Sequence, residues 1–170
     1  DRGQTWRWMC PEGMGIGAWR PERYSWMSGG ALLAATGSAL VRSADGGCSW
    51  AAHPFFKDTW VTSLAVHPTD ERIMYATTGR PSVGNGIYRS DDGGETWRVI
   101  LPLDPAVQYS AIRVAPSDPR RLYASGQGPD GDGADVGHLG AVEQPAVVLA
   151  RRILGHGTAR TRVVRVVDHL

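Results

Sequence analysis

The chain has 170 residues, 18 Lys+Arg against 17 Asp+Glu, and a formal net charge of +1. That is room for one domain of ordinary size, and the near balance leaves no field that would argue for nucleic acid or a membrane surface. Hydrophobic residues make up 42%, but no apolar run approaches the ~20 residues of a membrane helix, so a helical span is excluded. Gly (22) and Pro (11) make the chain rich in turns, and seven Trp against two Phe is a bias that the fold must explain. Lys57 is the single Lys, a bias that a GC-rich genome would produce.

Asp1-Arg2-Gly3-Gln4-Thr5-Trp6 opens the chain, and the same wording returns twice in fuller form. Ser43-Ala44-Asp45-Gly46-Gly47-Cys48-Ser49-Trp50 and Ser90-Asp91-Asp92-Gly93-Gly94-Glu95-Thr96-Trp97 both read S-x-D-G-G-x-[ST]-W. Trp6, Trp50 and Trp97 are 44 and 47 residues apart, a period that belongs to propeller blades and solenoid repeats. Between the first two copies, Gly13 to Ala18 formally matches a dinucleotide fingerprint. It lacks a convincing strand before it, and Pro21 spoils the helix after it, so no nucleotide site is expected. Trp8, Trp19, Trp26 and Trp60 lie outside the boxes. Packing between blades is the expected role of such residues. Trp19 and Trp26, in a Gly/Pro/Arg-flanked segment, are the better candidates for an exposed binding surface.

The flanks repeat as well. Leu32–Gly37, Met74–Gly79 and Leu122–Gly126 are three versions of one strand, and Val41-Arg42-Ser43 aligns with Tyr88-Arg89-Ser90. The most complete unit reads Val61–Val66, a Pro68–Glu71 turn, Ile73–Thr77, a loop over 79–86, Ile87–Ser90, and then a turn into Thr96–Leu101. Four short antiparallel strands in ~45 residues make one propeller blade. His53-Pro54 and His67-Pro68 follow strands and are expected to begin turns, not to ligate metal or act as bases. No stretch before residue 140 has a helical period.

The boxes have a physical logic. The Asp carboxylate can hold a tight turn by accepting backbone N–H groups, with a Ser hydroxyl adding a bond. The Gly pair supplies positive φ. The Trp then starts the next strand and is expected to point into the core, removing ~150–250 Å² from water, an upper estimate of roughly 4–6 kcal/mol per blade.

S-x-D-x-G-x-x-W resembles the Asp-box, or BNR repeat, of sialidase-like β-propellers, over residues 1–133. The resemblance implies an all-β fold of four-stranded blades. It also implies that the boxes sit on the turn between the third and fourth strands, away from the ligand face, so that their residues are structural. These are Asp1, Gly3, Thr5 and Trp6; Ser43, Asp45, Gly47, Ser49 and Trp50; and Ser90, Asp92, Gly94, Thr96 and Trp97. Members include sialidases, xyloglucan-active glycosidases, sorting-receptor ectodomains and photosystem II assembly-factor-like proteins. The wording here looks most like the non-sialidase bacterial members.

Propellers close with typically 4–8 blades, and about three are present in 1–133, the first and last incomplete. A fragment of a larger ring is therefore expected, completed by a longer chain or by self-association. The next box is due near residues 137–144 and is absent; no Trp follows Trp97. A reading-frame shift near Gly133 is the favoured expectation for the atypical segment 134–170. The alternative is a genuine tail with a short helix over Pro145–Leu154 and a strand over Arg162–Val167.

Chemistry is thinly represented. Arg42 and Arg89 stand at repeat-equivalent positions, where a structural role is the more common, and the Arg-Ile-Pro-like motif of sialidases is missing. Glycosidases need two converging carboxylates; Asp58, Asp104 and Glu22 lie outside the boxes and are the candidates. The Asp130–Asp135 run fails the calcium-loop pattern, no Cys/His cluster has zinc spacing, and neither metal nor cofactor is expected. Cys10 and Cys48 can form one bridge or remain two buried thiols; lying near the boxes of consecutive blades, they are expected to pair in an oxidising compartment. The resulting expectation is a non-catalytic, extracytoplasmic propeller module with a protein- or glycan-binding surface. A fragment of a glycoside hydrolase is the alternative.

Overall fold

A computed structural model describes residues 4, 6, 10, 23–80, 85–105, 107–127, 137–138, 142–143, 146–150 and 163–167. Its strands are antiparallel and arranged as successive blades. The first blade is β1 (Arg23–Trp26), β2 (Leu32–Ala35), β3 (Leu40–Ser43) and β4 (Ala51–Ala52), paired in that order. A 3-10 turn, Pro54–Phe56, leads to the second blade. That blade is β5 (Val61–Val66), β6 (Met74–Thr78), β7 (Asn85–Ser90) and β8 (Arg98–Asp104), again in sequential order. The fourth strand begins at Arg98, not Thr96, because Thr96 and Trp97 are still engaged in the turn.

The third blade starts with β9 (Gln108–Val114) and β10 (Arg121–Gln127). Two short pieces, β11 (Gly137–His138) and β12 (Val142–Glu143), pair with the free side of β10. Together they take the position that β3 and β7 hold in the first two blades. β13 (Ala146–Ala150) and β14 (Val163–Val167) form a separate antiparallel pair. The short helix that the genuine-tail alternative put over Pro145–Leu154 is thus corrected over Ala146–Ala150. Ala and Leu suggested helix, but Val147 and Val148 prefer a pleated surface, and their backbones pair with Val166 and Arg165.

Period-2 alternation sorts the core. From the second blade, Leu64, Met74, Ala76, Tyr88 and Trp97 point toward the first, where they meet Leu33, Ala35 and Leu40. Ala65, Tyr75, Ile87 and Leu101 point the other way and pack on Tyr109, Ile112, Leu122 and Ala124 of the third. A blade between two others is covered on both faces, which is why every residue of β6 is buried. Phe56, in the connection, is 1% exposed and makes edge contacts with Tyr88 and Trp97 at 5.2 Å each. It fills the wedge between the first two blades. The turns are also tied together, since the Ser28 amide and hydroxyl both donate to the Glu71 carboxylate.

Candidate functional site

The registers give each blade two distinct ends. Val66 pairs with Met74, and Met74 with Ser90, so the 67–73 turn and the 90–97 box share one end. Val61 pairs with Thr78 at the other. Trp60 and Arg80 therefore lie opposite the boxes.

At the box end, two turns repeat one hydrogen-bond pattern. Ser43 Oγ donates to Asp45 Oδ1 at 2.7 Å and accepts from the buried Gly47 amide at 2.8 Å. Asp45 Oδ1 accepts from the amides of Cys48 and Ser49, while Oδ2 accepts from the Ser49 hydroxyl. Ser90, Asp92, Gly94, Glu95 and Thr96 make the same set. Each indole N–H then donates back to a glycine carbonyl, Trp50 to Gly47 and Trp97 to Gly94, both at 3.0 Å. The Asp thus accepts amides three and four residues on, while the Ser hydroxyl takes the amides of the Asp and of the second glycine. The glycines have φ of 75° and 99° in the first turn and 79° and 89° in the second, a region that L side chains avoid. With all these donors, Asp92 is held down at about 2, chiefly by the Thr96 hydroxyl and amide and then by Ser90. Asp45 is pushed well below the usual carboxylate range for the corresponding reasons. A carboxylate committed to so many donors is poorly suited to shuttle protons.

The box tryptophans differ. Trp97 is 7% exposed, between two blades. Trp50 is half-buried on Ala34, Ala39 and Val41, with Tyr24 at 6.5 Å. Trp6, expected in the core, is 89% exposed; no strand of a blade preceding it is among the described residues to cover it. Of the other first-box residues, Asp1, Gly3 and Thr5 lie outside the described residues.

The opposite end carries a second arrangement. Asn85, fully buried, clips the loop by accepting from the Arg80 amide and donating to its carbonyl, both at 2.8 Å. Gly79 donates to the Trp60 carbonyl at 3.2 Å. It also lies so close to the third blade that an added Cβ would run into the Tyr109 backbone carbonyl oxygen. With the backbone pinned on both sides, the Arg80 guanidinium sits 6.0 Å from the centre of the Trp60 ring. Trp60 remains 41% exposed. A guanidinium over an indole at this distance is a cation–π pair, and together they place a partly exposed indole beside guanidinium N–H donors.

Sequence reasoning assigned Trp60 to packing and gave Arg80 no role. The two are twenty positions apart and meet only through the β5–β6 pairing. Of the candidates named for a binding surface, Trp19 lies outside the described residues. Trp26 is 61% exposed, but it is at the box end, because it pairs with Leu32 and Leu32 with Ser43. It also faces away from the second blade, so it does not join Trp60. Among the candidate acids, Glu22 lies outside the described residues. Asp104 ends β8 opposite Asn85, at the Trp60 end, and Asp58 stands two residues before Trp60 with φ of 59°. The two histidines begin turns: His53 Nδ1 accepts from the Phe55 amide and His67 Nδ1 from the Asp70 amide. Cys10 and Cys48 are both exposed and no disulfide joins them, so the alternative of two buried thiols is corrected. The Cys10 amide donates to the Gly47 carbonyl at 2.8 Å, which places Cys10 beside the turn. No group of three or more potential metal ligands occurs among the described residues.

No family model matches the chain, and no curated protein matches it. Solved structures do. An ancestral GH74 enzyme superposes with a TM-score of 0.56 at 17% identity, covering 62% of this chain and 16% of that one. The GH74 enzyme of Niastella koreensis gives 0.53 at 22% identity, covering 82% of this chain and 21% of that one. The chain thus spans about a fifth or less of the length of these structures. At these identities the likeness shows the fold: an all-β arc of a propeller.

Proposed function

We propose that the chain is a propeller module whose box turns are purely structural and whose opposite end, around Trp60 and Arg80, binds carbohydrate without cleaving it. The observation that carries this is the exposed Trp60 ring with the Arg80 guanidinium over it, on a backbone that Asn85 bonds at both N–H and C=O. An indole face matches the apolar C–H face of a pyranose, and a guanidinium supplies donors to ring hydroxyls. The saturated Asp45 and Asp92 support a structural reading of the boxes. Exposure outside the cytoplasm suits such a ligand.

The second reading, a piece of a glycoside hydrolase, is favoured by the likeness to GH74 enzymes. It would need Asp58 or Asp104 to face another carboxylate across a sugar bond. Affinity electrophoresis of the full chain through gels containing xyloglucan separates the readings. Retardation that Trp60→Ala abolishes, with no reducing ends released, is the expected result. Reducing ends that disappear in Asp58→Asn or Asp104→Asn would support the hydrolase. Unretarded migration in xyloglucan and other β-glucans would sink the carbohydrate proposal.

A further inference from the structure

Position 48 of the first box is equivalent to position 95 of the second, and residue 95 joins its blade to the one before. The Glu95 carboxylate pairs with Arg42 of the first blade at 3.5 Å. The Glu95 carbonyl lies 3.1 Å from His53 Nε2, three residues after the first blade's Trp50. The first box has Cys48 at this position. Cys10, four residues after Trp6, meets this turn, its amide donating to the Gly47 carbonyl. Gly47 is bonded to Cys48, so standard bond lengths keep the Cys10 and Cys48 Cα atoms within about 7 Å, near the outer end of the roughly 4.4–6.8 Å that a disulfide spans. Both thiols are exposed, so a small oxidant can reach them.

We infer that Cys10 and Cys48 are a redox-controlled staple, a disulfide replacing at one junction the ion pair and hydrogen bond that Glu95 makes at the next. The structure shows the reduced form. Oxidation proceeds by thiol–disulfide exchange with a small-molecule disulfide such as oxidised glutathione. One thiolate attacks it and expels a thiol, and the second thiolate then displaces the remaining half. The two cysteines lose two electrons and two protons, and the oxidant leaves as two thiols. The linkage closes a long loop, which restricts chiefly the unfolded chain, and ties Cys10 to the first described box.

The test uses the full chain in a glutathione redox buffer, alkylated and digested without reductant. The expected result is an intact mass about 2 Da lower, a peptide joining Cys10 to Cys48, and a thermal midpoint several degrees higher than with reductant, about 4–8 °C. The bridge should also form at least ~10-fold faster in folded than in urea-unfolded chain, because folding fixes the effective concentration. Two alkylated thiols, separate glutathione adducts, a dimer linked through these residues, or equal rates with and without urea would each overturn the staple. Cys10→Ser and Cys48→Ser check the assignment: each should leave one alkylatable thiol and a midpoint indifferent to reductant.

Discussion

The two box turns have the same internal hydrogen bonds and different surroundings. Ser43–Trp50 and Ser90–Trp97 use equivalent donors and acceptors, and their corresponding distances agree closely. Yet Trp97 is buried in a two-blade core and Trp50 is half-buried on its own blade. The turn is thus a local device, set by eight consecutive residues, whereas the burial of its indole is a property of the neighbouring blade. Energetically the two should separate: turn chemistry should stabilise both copies alike, and packing should stabilise the second more.

The largest expected effect tests the packing half. Trp97→Ala removes a ring that touches both blades and Phe56, and should cost about 3–5 kcal/mol. Trp50→Ala should cost less than half of that, since its ring is already partly in water. Denaturant unfolding of both variants decides it; equal losses would mean that Trp50 is covered by something as substantial as a blade. Next come the glycines of the second box. Gly94→Ala meets both a φ of 89° and close neighbours, with Met74 Sδ at 3.4 Å, whereas Gly93 has a φ of 79° and nothing within 4 Å. Both substitutions carry backbone strain of about 1–3 kcal/mol; Gly94→Ala should be the worse, by the amount that Met74 fails to yield. A Gly93→Ala variant at least as unstable would break the link between this turn and the core.

Serine tests the local half. Ser43 and Ser90 are each 1% exposed, and each accepts a buried glycine amide. Replacing either with Ala strands that amide, at about 1–2 kcal/mol. The two losses should agree within measurement error, because nothing in either bond depends on the neighbouring blade. A marked difference in the unfolding midpoints would show that the turns are not independent of their surroundings.

The same division explains what the chain reveals in one dimension. The all-β architecture and the strand pattern of the second blade are legible because alternation and turn residues act over a few positions. The Ser, Asp and Trp side-chain bonds of each box close within eight residues, so that part of the chemistry is written locally; the Gly93 amide bond to the Arg72 carbonyl and the Glu95 contacts with Arg42 and His53 reach further and are not. Trp60 and Arg80 are not legible as a pair. Their approach requires the β5–β6 register, the Asn85 clip and the close passage of Gly79 beside Tyr109. The exposure of Trp6 and the half-exposure of Trp50 depend on covering residues rather than on their own sequence. The strand over Ala146–Ala150 is not legible either, because pairing with Val163–Val167 overrides the helix preference of Ala and Leu.

The smallest effect concerns acid. Asp92 sits at about 2 in the folded protein, against about 3.9 for an unperturbed Asp in an unfolded chain. A depressed folded-state value means that the unfolded chain takes up the proton first. The stabilisation is therefore complete above about pH 4 and is lost as the pH falls toward about 2. Asp45, lowered by the same kind of donors, adds a loss of the same sign. Both carboxylates are exposed, so the loss should show as a gradual fall in the unfolding midpoint and not as an abrupt transition. Asp92→Asn keeps the shape but cannot take up this proton. It should start less stable at pH 6 and decline less than the wild type between pH 4 and 2. Asp70 and Asp118, also lowered by their arginine partners, give both proteins a common background that the comparison cancels. Parallel declines would mean that the hydrogen bonds to Asp92 survive in the unfolded chain or contribute nothing in the folded one. The local half of the contrast between the two turns would then fail.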